Sequence, residues 1–337
     1  MNKKRILTLV IVILLVIVCL LFFLKVGKKT VNKSFYELEL DADYANSLMW
    51  TYTFSKDNII EVRDSEYIEK DNDRRKGSKS GMILAIDMGN TNIVIGCIDD
   101  EKIYFEERIA TDLSKTELEY FCLFKTVLEL YQIHGDEING AIISSVVPPL
   151  VNVLKDAVEK LIGVTPYIVG SGIRTGLNIV MDNPRQVGSD MIVDAVAAVR
   201  EYKAPFIVID IGTATTMSVV DRHGNYIGGC IMPGVKVSAD SLAAKAAQLS
   251  KVDFAAPAKC IGKNTVDCMK SGIIFGHAAC LDGMIDRMQE ELGYPCKIIA
   301  TGGLAGVIIP CCRHEIIEDQ ELLLKGLKII YDLQTEH

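Results

Sequence analysis

The stretch Ile83-Leu84-Ala85-Ile86-Asp87-Met88-Gly89-Asn90-Thr91-Asn92 decides how this chain of 337 residues is read. An apolar run ends in Asp87, turns on Gly89 and Asn90, and gives way at once to a second apolar run, Ile93 to Ile98. Asp99, Asp100 and Glu101 turn the chain again, and Lys102 to Ile109 alternates as a third strand. Apolar runs bounded by Gly, Asn and Asp read as strands, so this is a β-meander around a tight Gly-Asn turn. The same order recurs 123 residues later. Phe206 to Ile209 runs into Asp210-Ile211-Gly212-Thr213-Ala214-Thr215-Thr216. Met217 to Val220, a turn at Asp221 to Asn225, and Tyr226 to Ile231 then complete a second meander. Asp87 aligns with Asp210 and Gly89 with Gly212. A repeat on this scale is a duplicated domain rather than a solenoid, whose period is about 20–50 residues.

Helices follow each meander. Thr116 to His134 has helical spacing through Leu118, Phe121, Phe124 and Leu128. Asn139 to Val146 reads as a strand, Pro149 to Leu161 as a helix, and Asp190 to Glu201 as a helix rich in Ala and Val. In the second half Ser238 to Leu249 and Val266 to Leu292 are helical. Lys297 to Ala300 is a strand ending in Thr301-Gly302-Gly303, and Gln320 to Leu333 closes the chain as a helix. Two such halves, each opening with Asp-x-Gly between strands, resemble the layout of the actin-like, ribonuclease-H-like ATPases. That α/β superfamily includes the acetate and sugar kinases, Hsp70 and actin.

The turn chemistry suits phosphate. Gly with small hydroxyl and amide residues lets backbone N–H groups approach phosphate oxygens. Asn90, Thr91, Thr213, Thr215 and Thr216 add side-chain donors. Two Asp residues entering one cleft from opposite domains can hold Mg²⁺, directly or through water. Thr301-Gly302-Gly303 would let a nucleoside lie against backbone. A lone Asp-x-Gly turn is most often just a hairpin; the pair, with Thr-Gly-Gly, points to a phosphate-binding cleft. Gly-x-x-x-x-Gly-Lys-[Ser/Thr] is absent from the sequence, which excludes the P-loop type.

Composition narrows the classes. The net charge of −8 and an aromatic content of 7% argue against a nucleic-acid binder, which needs a basic face or stacking surfaces. The charge is uneven: residues 1–81 carry +3 and residues 82–337 carry −11. None of the ten cysteines forms a Cys-x-x-Cys pair, so they read as reduced core thiols. His134, His223, His277, His314 and His337 form no ligand cluster. Residues 1–33 are basic and contain the apolar run Ile6 to Leu24. As a helix it would be about 28 Å long, close to the hydrocarbon core of a bilayer, and it reads as an uncleaved single-pass anchor. Residues 34–81 form a short β-type fragment and a polar linker. Its strands are expected at Phe35 to Leu40, around Trp50 to Phe54, and at Ile59 to Val62. The Trp50 to Phe54 stretch weakly resembles part of a chagasin-type inhibitor domain. Met82, directly before a strand, reads as the start of an ancestral free-standing enzyme.

From Met82 to about Leu333 the chain resembles type III pantothenate kinases. The resemblance is carried by Asp-Met-Gly-Asn-Thr-Asn at 87–92, Ser-Ser-Val-Val-Pro-Pro at 144–149, and Thr-Gly-Leu-Asn-Ile at 175–179. It continues through Asn-Pro-Arg-Gln-Val-Gly-Ser-Asp at 183–190, Asp-Ile-Gly-Thr-Ala-Thr-Thr at 210–216, and Gly-Gly-x-Ile-x-Pro-Gly at 228–234. Ile-Gly-Lys-Asn-Thr at 261–265 and Ala-Thr-Gly-Gly-Leu-Ala at 300–305 complete it. The resemblance implies two kinase domains, 82–202 and 203–337. It implies phosphorylation of pantothenate by ATP, the first step towards coenzyme A, by a homodimer whose catalytic part faces the cytoplasm. ATP phosphates fall on Asp87, Met88, Gly89, Asn90, Thr91, Asn92, Ile93 and Val94, with Thr213 as a further contact. Asp190 becomes the proton acceptor for the pantothenate hydroxyl. Met181, Gly188, Ser189, Asp190, Met191 and Thr265 line the pantothenate site, Thr265 reaching across the dimer interface. Asp210 becomes the ligand of a monovalent cation, K⁺ or NH₄⁺, and Asp87 lies near the Mg²⁺ that accompanies ATP.

Three positions depart from the family pattern. Met191 stands where many members have Arg, which removes a cation from the cleft. Met181 replaces an aromatic residue, and Val94 replaces a Lys found in some members. Two other functions share these features: a related kinase for another small alcohol, and a membrane-tethered regulator that binds nucleotide without turnover.

Overall fold

A computed structural model describes residues 50–54, 59–64, 81–246, 249 and 251–335. The chain divides into two compact units, Met1–Lys76 and Gly77–His337. In the first, β1 (Trp50–Phe54) pairs antiparallel with β2 (Ile59–Asp64), with a register irregularity at Thr53/Phe54. The anchor expected at residues 6–24 and the strand expected at Phe35 to Leu40 lie outside the described residues. Among the described residues no helix is long and apolar enough to cross a membrane.

The second unit contains two sheets. β3 (Ile83–Met88), β4 (Asn92–Ile98) and β5 (Ile103–Ala110) form the first meander, with β6 (Gly140–Ser145) parallel to β3 and β7 (Tyr167–Ile168) beyond it. The strand order is β5-β4-β3-β6-β7. β9 (Phe206–Ile211), β10 (Ala214–Val220), β11 (Asn225–Pro233), β12 (Lys297–Thr301) and β13 (Ile317–Glu318) repeat it as β13-β12-β9-β10-β11. β8 (Asn178–Ile179) extends the second sheet at β11. In each half the order is third-second-first-fourth-fifth, with the second strand antiparallel to the first. This is the duplicated actin-like, ribonuclease-H-like layout read from the repeat.

Alternation along buried strands sorts the cores. Leu84, Ile86 and Met88 face α1 (Glu117–Leu130) and α2 (Val151–Ile162), where Phe124 and Leu154 meet them. Ile83 and Ala85 face α3 (Ser189–Glu201) and α7 (Leu322–Thr335) through Val193, Val196, Leu324 and Leu327. On the second sheet Ile207, Ile209, Met217 and Val219 face α4 (Val235–Lys245), α5 (Thr265–Leu292) and α6 (Ala305–Ile308). Phe206, Val208 and Tyr226 face α3 instead, against Ala195, Ala197 and Ala198. The Ala and Val content of α3 thus has a packing cause. Valines fill the first-sheet side, and alanines let the second sheet approach closely.

Several local expectations shift. α1 ends at Leu130, before His134. Its buried face is Tyr120, Phe124, Val127 and Leu128, while Leu118 points to solvent. At its start the Thr116 N–H donates to Glu119 Oε2 at 2.7 Å. α4 starts at Val235 and ends at Lys245, earlier at both ends than the expected Ser238 to Leu249. Core thiols were expected, yet of the described cysteines only Cys97 is buried. Cys122, Cys260, Cys268 and Cys280 are exposed, and all those described are free thiols. An apolar neighbourhood in sequence does not decide which face of a helix or loop a cysteine occupies.

Candidate active site

Both Asp-x-Gly turns stand at strand ends that face each other. In the first, the Gly89 N–H donates to Asn92 O at 2.9 Å. Thr111 at the end of β5 pins the turn, its Oγ1 donating to Gly89 O at 2.7 Å and its N–H to Thr91 O at 2.9 Å. Asn90, Thr91 and Asn92 are left exposed at the turn, whereas the side chains of Met88, Ile93 and Val94 lie in the core. Only the backbone of those three is available to a ligand. In the second turn the Gly212 N–H donates to Ala214 O at 3.0 Å. Thr213 Oγ1 donates to Thr91 Oγ1 at 2.8 Å, so the two turns touch.

Backbone crowds the second turn from two sides. Gly302, at the end of β12, has φ +100, and a Cβ there would strike Asp210 Oδ1 and lie 2.6 Å from Ile211 N. A Cβ on Gly234, after β11, would collide with Thr213 O. Glycine is therefore required at both positions for the Thr-Gly-Gly turn and the β11 end to close around Asp210 and Thr213. A cavity of about 390 Å³ is lined by Ile211, Thr215, Met232, Val235, His277 and Ile308 among others.

α3 brings the third element. Ser189 Oγ donates to Ser145 O at 3.1 Å and lies 3.0 Å from Ser144 Oγ, tying the helix start to the end of β6. Gly188 caps the helix, and the Met191 N–H donates to Asp190 Oδ1 at 2.8 Å. Asp190 stands in the first helical turn, where the helix dipole favours a negative charge.

Four carboxylates act on one another here. Burial pushes Asp87 up to about 7; a hydrogen bond from Ser144 opposes this, and Asp190 and Asp210 reinforce it. Burial likewise pushes Asp210 up to about 7, Asp190 adding to the rise and the Arg108 guanidinium opposing it. Burial raises Asp190 against the Met191 N–H. Asp194, one turn further along α3, is raised well above the usual carboxylate range by burial and by Asp210, Asp190, Asp87 and Asp319. So much negative charge in a water-poor cleft calls for cations. Asp87 Oδ1 and Asp194 Oδ1 are buried without a hydrogen-bond partner, which fits a site that receives an ion. Among the described residues no three acidic, His or Cys side chains converge to ligate one ion by themselves, so phosphate oxygens, backbone or water would complete its shell. Met181 and Thr265 are exposed and stand outside this carboxylate group.

Comparison with known proteins gives the family. A model of the type III pantothenate kinase family matches residues 83–287. The type III pantothenate kinase of Syntrophus aciditrophicus is 45% identical over 250 residues, which cover 74% of this chain and 98% of that protein. The type III pantothenate kinase of Geobacillus kaustophilus is 44% identical over 257 residues, covering 76% and 99%. The chain belongs to the type III pantothenate kinase family. Among solved structures, component A of (R)-2-hydroxyglutaryl-CoA dehydratase from Acidaminococcus fermentans is similar with a TM-score of 0.46. It is 15% identical, over 76% of this chain and 99% of that one.

Two charged residues that act on this cleft, Arg108 and Asp194, were not among those expected from the sequence. Arg108 lies on β5, and a Cβ on Gly303 would come 2.8 Å from its Nη1, so the guanidinium reaches the Thr-Gly-Gly turn and acts on Asp210. It supplies a positive charge to a cleft otherwise lined by carboxylates. Nothing in the alternation of β5 singled it out. Asp194 had one signal, its place four residues after Asp190, which puts both carboxylates on one helix face.

Proposed function

We propose that this chain transfers the γ-phosphoryl group of ATP to the hydroxyl of pantothenate, giving 4′-phosphopantothenate, the first step towards coenzyme A. The observation that carries the reading is the meeting of the two Asp-x-Gly turns at Thr91 and Thr213, with Asp190 of α3 in the same carboxylate group as Asp87 and Asp210. Family membership over nearly the full length of the relatives supports the substrate.

In this reading 82–202 and 203–337 are the two lobes that close on the nucleotide. The backbone from Asp87 to Val94 and the Thr213 hydroxyl cradle the phosphates. Phosphoryl transfer passes through a loose transition state, so positioning and charge neutralisation outweigh strong base chemistry. Asp190 orients the pantothenate hydroxyl and takes its proton. Its Oδ1 already accepts a hydrogen bond from Met191 N–H, which fixes the carboxylate and leaves Oδ2 for the substrate. Arg108 faces the side of Asp210 and the Thr-Gly-Gly turn, where it offsets charge. Mg²⁺ with ATP beside Asp87, and K⁺ or NH₄⁺ at Asp210, would supply further neutralisation of the transferring group. Gly188, Ser189, Met191 and Met181 border the pantothenate, and Thr265 reaches the site from the second subunit of a homodimer.

ADP release by the purified chain tests the reading. With ATP and Mg²⁺, release should depend on pantothenate and rise with K⁺. Asp190→Asn should lower turnover at least 100-fold while nucleotide still binds, since a positioned base contributes about 10²–10⁴. Release driven by another alcohol and not by pantothenate would move the assignment to a different acceptor, and no release with ATP bound would point to a regulator.

A further inference from the structure

α3 carries a carboxylate that the transfer reaction leaves without a task. Asp194 is 5% exposed, and its Oδ1 has no hydrogen-bond partner. The charges that bear on it, those of Asp210, Asp190, Asp87 and Asp319, are all negative. Each of the other three cleft carboxylates has relief: Asp87 from Ser144, Asp190 from the Met191 N–H, Asp210 from Arg108. Lys325, 3.6 Å from Asp319, is also paired with Glu321. A buried carboxylate oxygen without a donor, among like charges, is strongly destabilising unless a cation or a proton accompanies it. Its helix neighbours Val193 and Ala195 show that apolar side chains pack at this depth.

The placement selects the partner. α3 packs directly on β9, the strand that carries Asp210, and Asp210 is the strongest charge acting on Asp194. Mg²⁺ keeps several waters and holds octahedral geometry, which suits the phosphate side of the cleft near Asp87. A larger monovalent cation, satisfied by carboxylate, carbonyl and phosphate oxygens, suits the water-poor boundary between α3 and β9. We propose that Asp194 is the second carboxylate of the monovalent-cation site, holding K⁺ or NH₄⁺ together with Asp210. The inference rests on the assignment of a monovalent cation to Asp210.

Thermal melting of the full chain, without nucleotide, is titrated with KCl against NaCl at constant ionic strength. Wild type should melt higher with K⁺ in a saturable way. Asp194→Asn should need at least tenfold more K⁺ for the same rise, and in K⁺-free buffer it should melt no lower than wild type. Asp210→Asn is the reference. If it abolishes the K⁺ response while Asp194→Asn leaves it intact, the cation stays with Asp210 and the proposal is overturned. If wild type shows no K⁺ response, the assignment at Asp210 falls and the proposal with it. Should Asp194→Asn not fold, Asp194→Ser takes its place. Crystals of the wild-type chain soaked in Tl⁺ give a readout free of any variant: an anomalous peak shared by the Asp194 and Asp210 carboxylates supports the site. A peak at Asp210 with no Asp194 oxygen in its shell overturns it.

Discussion

Asp87 sits at the end of a strand whose six residues are all buried, and its Oδ1 has no partner. Its pKa rises from 3.8 to about 7, first through burial. An unfolded chain releases that proton near pH 4, whereas the folded ligand-free protein keeps it until about pH 7. The native state therefore holds more protons between those values. Stability from this group is fully present below pH 4 and is lost as pH rises to 7, by at most about 1.4 kcal/mol per pH unit. Asp210, also raised to about 7, acts with the same sign. The ligand-free protein should melt at a lower temperature at pH 8 than at pH 5.5, and Asp87→Asn should flatten that slope. An equal slope in the variant would remove Asp87 as its source. Asp87, Asp190 and Asp210 were legible because each stands where an apolar run breaks or a helix begins. Arg108 was not, because its contact crosses between elements remote in sequence, from β5 to the turn at Gly303.

At the scale of elements, the site depends on how α3 is held. α7 crosses it so closely that a Cβ on Gly326 would collide with Val193 O. Val193 precedes Asp194 and lies one turn from Asp190, so the crossing sets the position of both carboxylates. Gly326→Ala should destabilise the fold by about 1–3 kcal/mol, the usual penalty for overpacking a close contact, although Ala favours helix over Gly. Thermal melting would show the loss, and a gain in midpoint would mean that the two helices have room to part. The long strands and helices were readable from their apolar spacing. β7, β8 and β13 were not, since two residues carry no period, and their place is fixed by neighbours: β8 by β11, β13 by β12. The same holds for α3. Its composition shows a helix, but that it serves both sheets follows only from the packing of Val193 and Val196 on one side and Ala195, Ala197 and Ala198 on the other.

At the scale of the whole chain, the repeat at Asp87 and Asp210 foretold two sheets of one order. The compact unit Gly77–His337 contains every core described here between Ile83 and Ile330. The matches to relatives span 98% and 99% of those proteins while covering 74% and 76% of this chain, so the relatives' own length corresponds to the second unit. β3, the central strand of the first sheet, is buried on both faces by α1, α2, α3 and α7, and all four belong to that unit. Removing residues 1–81 should therefore leave the packing around Asp87, Asp190 and Asp210 unchanged. The chain 82–337 should fold with the same thermal midpoint for this unit and release ADP with pantothenate at the rate of the full chain. A truncated protein that melts lower or loses turnover would show that the first unit supports the kinase cleft and is not merely joined to it.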